Sequence, residues 1–190
     1  MPAAEKTSGS RQRFLDAAVR LFARHSVAGT SLQMIGDELG VTKAAVHHHF
    51  RSRQELMAAV VAPLCVQLTA TVDAAATLRT AHARAEHALT GFVDTVLTHR
   101  QLLPILNGDP GARELLISNP QVGDLTARLT ALLAAVEPGP GGRIRADIVL
   151  SGLACAAGQN HDLDHTALRR HLLDAGRRTL GLRTPRTSTP

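Results

Sequence analysis

The 190-residue sequence contains no tryptophan and no tyrosine, and its aromatic content is limited to four phenylalanines. Aromatic and β-branched side chains favour strands, whereas Leu and Ala favour helices. Because 44% of the residues are nonetheless hydrophobic, the core has to be built from aliphatic side chains. This composition predicts an all-α protein and argues against a β-sandwich.

Cysteines and long apolar runs are scarce as well. Cys65 and Cys155 lie 90 residues apart without paired or C-x-x-C spacing, which predicts free, buried thiols in a reducing compartment. Residues 1–12 lack the apolar segment of a signal peptide, and no uncharged apolar stretch reaches the roughly 18 residues of a membrane span. We therefore expect a cytoplasmic protein with no membrane partner.

The charge is modest and unevenly distributed. The formal net charge is +5, and residues 1–60 carry eight basic and five acidic side chains, so +3 of the +5 lies in the first third. This excess suits an anionic partner. The sequence also lacks a Gly-x-Ser-x-Gly motif, a phosphate-binding glycine-rich loop and a His-Glu-x-x-His motif. We therefore expect neither a catalytic site nor a cofactor.

The apolar residues recur at helical spacing along most of the chain, and the length fits one domain or a small domain fused to a larger one. Small and polar residues predict a disordered arm over residues 1–10 and a disordered tail over residues 183–190. Glycine and proline predict loops at Gly108–Gly111 and Pro138–Gly142. Between the ends we expect about nine helices: 11–25, a short helix capped by Thr30 or Ser31 and ended at Gly40, 43–50, a long connector over 53–76, 80–99, 100–106, 119–137, 142–158 and 165–182.

Residues 30–50 predict a helix-turn-helix, with a turn at Gly40-Val41 and Thr42 as the cap of the second helix. In that second helix, helical spacing turns Val46 and Phe50 inward and leaves the other face free. A helix of eight residues is about 12 Å long and matches the width of the DNA major groove. By spacing alone, an ordinary helical corner inside a core fits equally well.

A resemblance to a known family decides between these alternatives. The sequence contains, in order, Arg13-Phe14-Leu15-Asp16-Ala17-Ala18, Leu21-Phe22-Ala23, Gly29-Thr30-Ser31, Ile35-Gly36, Leu39-Gly40-Val41-Thr42-Lys43, His48-His49-Phe50 and Ser52-Arg53-Gln54-Glu55-Leu56. These motifs and their spacing resemble the amino-terminal module of the TetR family of transcriptional regulators over residues 11–60. The rest of the chain resembles that family only in its length, its helicity and its two apolar final helices.

The resemblance implies a DNA-binding head over 11–54 and a ligand-binding and dimerisation domain over 55–182. It implies a homodimer that binds a palindromic double-stranded DNA operator, usually as a repressor, and is released by a small-molecule effector. Its DNA-binding positions carry over to Ser31, Thr42, Lys43, Ala44, His47, His48 and Arg53. Two residues depart from the family pattern. His47 replaces a frequent phosphate-binding Tyr, and Gly36 replaces a frequent Ala at a cost of about 0.5–1 kcal/mol in helix propensity unless close packing requires glycine.

Two further sets of residues are predicted in the second domain. Polar and apolar residues of the middle helices either line a ligand cavity or belong to ordinary surface and packing; the predicted pocket comprises Phe92, Val96, His99, Leu103, Leu106 and Gln159. Apolar stripes on the last two helices exceed what two helices bury alone and predict a four-helix dimer interface; this set comprises Ile144, Ile148, Leu153, Leu168, Leu172 and Ala175.

Three alternatives are less favoured. Consecutive residues of His47–His49 point about 100° apart on a helix and cannot chelate one ion, and His161–His165 is explained by a solvated loop, so we predict no metal. A structural protein that binds DNA without sequence preference is disfavoured because Lys6 and Lys43 are the only lysines. An enzyme would need a convergent cluster of titratable groups, which the sequence does not show.

Overall fold

The computed structural model describes residues 3–160 and 162–182. These ranges contain ten α-helices, one 3-10 turn and no strand, which confirms the all-α prediction; the predicted tail, 183–190, lies outside them. The helices are α1 (Ala3–Gly29), α2 (Leu32–Leu39), α3 (Lys43–His49), α4 (Arg53–Ala76), α5 (Ala81–Thr98), α6 (Leu103–Gly108), α7 (Pro110–Ile117), α8 (Pro120–Ala134), α9 (Pro140–Gln159) and α10 (His165–Leu180), and the 3-10 turn covers Arg100–Leu102.

Helix α1 starts earlier than the sequence predicts. It begins at Ala3, so the disordered arm predicted over residues 1–10 is wrong from Ala3 onward. This segment includes Ala, Glu and Lys, which have high helix propensity and extend the helix despite its polar composition. The predicted end at His25 falls one residue before a kink, because Ser26 leaves helical geometry with φ 63° and ψ 165°, and a short helical piece continues to Gly29. The Ser26 side chain accepts a hydrogen bond from the Gly29 N–H over 3.1 Å.

Helix α7 replaces the predicted loop at Gly108–Gly111 and raises the number of helices from nine to ten. Asp109 caps this helix, because its Oδ1 accepts hydrogen bonds from the N–H groups of Gly111 (2.8 Å) and Ala112 (3.1 Å). Pro110 is the first residue of the helix, where a missing N–H costs no intrahelical hydrogen bond. The Asp-Pro pair is therefore a helix start, although its flanking glycines are typical of a loop.

The contacts between described residues divide the chain into two compact units. The first unit contains residues 3–63 and 104–119, and the second contains residues 64–103 and 120–182 apart from residue 161. The division therefore falls inside α4, after Pro63, and not at the predicted boundary between 54 and 55. Helix α7, which lies within the predicted second domain, belongs to the first unit.

Helices α1, α2 and α3 form the core of the first unit around buried side chains, including Phe22, Ile35 and Val46. Glu38 on α2 pairs with Arg20 and Arg24 of α1, each over 3.0 Å. The hydrogen bond from Arg20, with the positive charge of Arg24, lowers the pKa of the Glu38 carboxyl group. These ion pairs fix the position of α2 along α1.

Helices α5, α8, α9 and α10 enclose the core of the second unit, and α4 contributes Leu68 and Val72 to it. Two ion pairs join α5 to α10: Asp94 with Arg169 (2.5 and 3.0 Å) and Glu86 with Arg177. The two pairs are eight residues apart on each helix, and their order shows that α5 and α10 run antiparallel. They hold the two helices in one register over their buried face.

Helix α4 is unusually apolar. By length and composition it is the one helix in the described ranges that could cross a membrane. The core helix of a soluble protein passes the same test, so this is weak evidence. Three of its apolar side chains, Met57, Val61 and Val72, are buried.

Candidate nucleic-acid interface

Helix α2 and the turn after it are set by local hydrogen bonds. The Ser31 hydroxyl accepts a hydrogen bond from the Met34 N–H over 3.2 Å and caps the helix. Gly40 ends it in the left-handed conformation, with φ 67°. The N–H groups of Gly40 and Val41 then donate to the carbonyls of Asp37 (3.3 Å) and Gly36 (2.9 Å). This is the Schellman arrangement, which reverses the chain within two residues and delivers it to α3.

Gly36 allows α2 to approach the start of α3 closely. A Cβ atom on Gly36 would lie 2.8 Å from the carbonyl oxygen of Val41 and 3.4 Å from the Lys43 nitrogen. Both contacts are with backbone, which cannot rotate away as a side chain can. Close packing therefore requires glycine at this position, although glycine has a lower helix propensity than alanine.

Helix α3 presents one polar face from a buried support. Thr42 caps it by accepting a hydrogen bond from the Ala45 N–H over 3.2 Å. Val46 and Phe50 are fully buried, with Phe50 as the residue that ends the helix. His49 is half-buried, and its ring lies 5.1 Å from that of Phe14 between centroids. The inward direction predicted for Val46 and Phe50 is confirmed.

The opposite face of α3 carries four of the predicted DNA-binding residues. Lys43, Ala44, His47 and His48 are all exposed, as are the capping residues Thr42 and Ser31. On a helical wheel the four helical residues fall within about 140° of one another. A face of this kind, with one cation, one methyl group and two imidazoles, can meet phosphates and base edges in a major groove. Their roles toward DNA stay predictions.

Arg53, predicted to bind phosphate at the start of α4, points elsewhere within the first unit. Its Nη1 donates hydrogen bonds to the backbone oxygens of Val27, over 3.4 Å, and Ala28. The Val27 N–H donates in turn to Asp109 Oδ2 over 2.5 Å. Arg53 and Asp109 therefore hold the end of α1 from α4 and α7. A phosphate would have to compete with these carbonyls for the Arg53 guanidinium.

Asp109 is a residue that sequence reasoning missed. Its carboxylate caps α7 through one oxygen and binds the Val27 amide of α1 through the other. The two residues are 82 positions apart, so no local pattern connects them. The signal available in the sequence was the Asp-Pro helix start.

The structure does not gather the six predicted pocket residues in one unit. Phe92, Val96 and Leu103 are buried in the core of the second unit, and Leu106 belongs to the first unit. His99 ends α5 and is half-buried, and burial lowers the pKa of its imidazole. Gln159 is exposed at the end of α9. The ligand-binding role of this set stays a prediction.

The six predicted interface residues divide by burial. Leu153, Leu168 and Leu172 are buried in the core of the second unit, whereas Ile144 and Ile148 are 59% and 57% exposed. Between α9 and α10 lies a groove of about 410 Å³. It is lined mainly by apolar side chains, among them Ile148, Leu153, Leu168, Leu172 and Ala175.

The potential metal ligands and the two thiols lie apart in the part of the chain that the structure describes. No three potential ligands among His, Cys, Asp and Glu lie together there, and His161 falls outside it. Asp164 of the same segment caps α10 by accepting hydrogen bonds from the N–H groups of Ala167 and Thr166, both over 2.9 Å, which lowers the pKa of its carboxyl group. Cys65 and Cys155 are free and half-buried, and burial raises the pKa of the Cys65 thiol.

Comparison with known proteins gives matches in the segment that contains the helix-turn-helix. Residues 14–60 match the family model described as "Bacterial regulatory proteins, tetR family". The transcriptional regulator AcrR of Shigella flexneri is 36% identical over 56 residues, which are 30% of this chain and 26% of AcrR. The nicotine-responsive repressor HdnoR of Paenarthrobacter nicotinovorans is 39% identical over 66 residues, 35% of this chain and 34% of HdnoR. The chain thus spans about a quarter to a third of these relatives.

Solved structures extend the fold similarity over most of the chain. The ketosteroid transcriptional regulator KstR2 of Mycobacterium tuberculosis superposes with a TM-score of 0.69 at 15% identity, covering 90% of this chain and 93% of KstR2. The regulator PfmR of Thermus thermophilus gives 0.66 at 19% identity, covering 91% and 100%. Residues 14–60 are therefore similar in sequence to the tetR family of bacterial regulatory proteins, and most of the chain shares the fold of these solved structures.

Proposed function

We propose that this protein is a DNA-binding transcriptional regulator of the cytoplasm, acting as a repressor. It binds a palindromic operator as a homodimer and leaves the operator when a small-molecule effector binds its second unit. The observation that carries the proposal is the exposed face of α3, where Lys43, Ala44, His47 and His48 lie opposite the buried Val46.

The geometry of the first unit supports a role as a DNA-binding domain. The connection between α2 and α3 is short and held by the Ser31 and Thr42 caps and the turn at Gly40. These contacts restrict the orientation of α3 relative to α2. A rigid helix of seven residues is short enough to enter the major groove end-on. Ala44, near the amino end of α3, leaves space for close approach to base edges and suits contact with a thymine methyl group.

Selection from a library of random-sequence duplexes tests this proposal. We expect enrichment of an inverted repeat whose half-site centres lie about 34 Å apart, or a multiple of that distance. His48→Ala should weaken binding to the selected duplex by about 1–3 kcal/mol if His48 reads a base. The control is His87→Ala, which removes an exposed histidine of α5 in the second unit.

Two outcomes would overturn the proposal. Binding without any enriched sequence would indicate a structural DNA-binding protein. The absence of DNA binding would show that the protein is not a DNA-binding regulator. An enzyme would then be tested by turnover assays. Equal effects of the His48 and His87 substitutions would show that α3 does not read the duplex.

A second copy of this chain is the proposed occupant of the α9–α10 groove. The groove is apolar, and Ile148 in its lining and Ile144 one turn earlier on α9 expose side chains that would be buried against a partner. In a two-fold arrangement each copy places its isoleucines against the groove of the other, which buries both surfaces at once. The floor of the groove, formed by buried leucines, would remain part of each protomer's core.

The effector part of the proposal rests on α4 and on the relatives. HdnoR is named as nicotine-responsive and KstR2 as a ketosteroid regulator, so proteins of similar sequence or fold are associated with small molecules. Residues 53–63 of α4 belong to the first unit and residues 64–76 to the second, so a shift of this helix would carry a change between them. Reversing operator occupancy from 99:1 to 1:99 requires a preference of about 5.5 kcal/mol.

A further inference from the structure

Arg11 of α1 lies at the carboxyl end of α3. Its guanidinium carbon is 4.9 Å from the centre of the Phe50 ring, a cation–π contact. The ring itself is fixed, because Phe50 is fully buried and Phe14, one turn further along α1, meets it edge-on at 6.5 Å and 88°. The exposed Arg11 side chain therefore has a defined position on a rigid support.

This position adjoins the proposed DNA-reading face. His47 and His48 are the last exposed residues of α3. The His48 ring lies 5.5 Å from that of His49, which in turn lies 6.5 Å from the Phe50 ring. A cation–π contact with the ring does not itself use the N–H donors of the guanidinium. These donors match the oxygens of a phosphate group, which a guanidinium can bind through two hydrogen bonds.

Arg11 also differs from the arginine that the family resemblance selects. The Arg53 guanidinium donates to the backbone oxygens of Val27 and Ala28, whereas the contact of Arg11 with Phe50 is made to the aromatic ring. Of these two arginines of the first unit, Arg11 is the better placed to reach the DNA backbone.

We propose that Arg11 binds a DNA phosphate beside the carboxyl end of α3, and that Phe50 positions its guanidinium for this contact. The inference rests on the proposed function, because it assumes that α3 lies in the groove. It assigns the residue an electrostatic and positioning role that carries no base preference of its own.

The salt dependence of DNA binding tests this role. Binding of the full-length protein to a mixed-sequence duplex of about 40 base pairs would be measured by fluorescence anisotropy over a range of salt concentrations. Arg11→Ala should reduce the slope of log K against log salt by about 0.9 for each phosphate that the variant no longer neutralises. At 0.1 M salt this corresponds to about eightfold weaker binding per phosphate if the 1 M intercept is unchanged.

Arg13→Ala is the matched control. Arg13 is an exposed arginine of the same helix, and its position two residues on turns it about 200° around the helix axis from Arg11. We expect its substitution to leave the slope unchanged. Thermal unfolding of both variants, measured in parallel, separates a decrease in stability from a weaker interaction with DNA.

The possible results are distinct. An unchanged slope with a lowered melting temperature for Arg11→Ala would overturn the inference and leave Arg11 as a structural residue. Equal reductions for both variants would also overturn it, since they indicate a diffuse field and no positioned contact. Failure of the wild-type protein to bind the duplex even at low salt would instead overturn the proposed function.

Discussion

Gly36 illustrates how the absence of one methyl group sets the helix-turn-helix geometry. An added Cβ would lie 2.8 Å from the Val41 carbonyl oxygen, closer than real contacts of this type allow, so the turn or α2 would have to shift. We predict that Gly36→Ala destabilises the protein by about 1–3 kcal/mol, the usual effect of overpacking. Urea or thermal unfolding of the two proteins would measure this difference.

Gly123 of α8 provides the control for that substitution. No atom lies within 4 Å of a Cβ added at this position, and the residue is exposed within a helix. Gly123→Ala should therefore stabilise the protein by about 0.5–1 kcal/mol, because alanine is the better helix former. If both substitutions stabilised the protein, steric contact at Val41 would not be the reason for glycine at position 36.

Hydrogen bonds between residues close in the sequence explain why the helix-turn-helix could be predicted from the sequence. The caps at Ser31 and Thr42 act over three residues, and so does the hydrogen bond from the Gly40 N–H to the Asp37 carbonyl. The Ser52 hydroxyl likewise accepts a hydrogen bond from the Glu55 N–H. Each signal is complete within one turn of helix, so the sequence alone identifies it.

Helix α7 was missed because its decisive contact is not local. Asp109 has the same type of cap as Asp164, which begins the correctly predicted α10. The difference is the partner of its second oxygen, the Val27 N–H, 82 positions earlier in the chain. That contact helps to assign α7 to the first unit, and no periodicity within residues 104–119 encodes it.

The two aspartate caps allow this additional contact to be measured. Asp164→Ala should cost about 0.5–2 kcal/mol, as expected for an N-cap alone. Asp109→Ala should cost a further 1–3 kcal/mol or so, because it also leaves the buried Val27 amide without its acceptor. The comparison requires unfolding curves of both variants, with hydrogen exchange at the Val27 amide as a site-specific check.

Equal decreases in stability for these variants, with unchanged exchange at Val27, would contradict the link between α7 and α1. Faster exchange at Val27 in Asp109→Ala alone would support it, because an amide without its acceptor opens more readily to solvent. The exchange measurement also distinguishes this contact from a general loosening of the first unit.

The division of the chain into two units follows from contacts between distant segments. The boundary between the units could therefore not be predicted from the sequence. Spacing and composition identify α4 as one long helix, and its observed bounds, Arg53–Ala76, are those predicted for the connector. They do not reveal that the division falls after Pro63, or that residues 104–119 join the first unit. Likewise, periodicity identified Leu153, Leu168 and Leu172 as an apolar stripe but did not show that these leucines are buried within one protomer.

The exposed isoleucines give the last prediction, which concerns assembly. We expect light scattering to report about 40 kDa in solution, twice the protomer mass of 20.2 kDa. Ile148→Asp should yield a monomer at micromolar concentration, because a carboxylate at a buried apolar interface is costly to desolvate. Ile117→Asp is the control, since Ile117 is 72% exposed on α7 of the first unit and lies outside the groove. A wild-type monomer that still binds its operator would contradict the two-fold arrangement, and dissociation by Ile117→Asp alone would move the interface to α7.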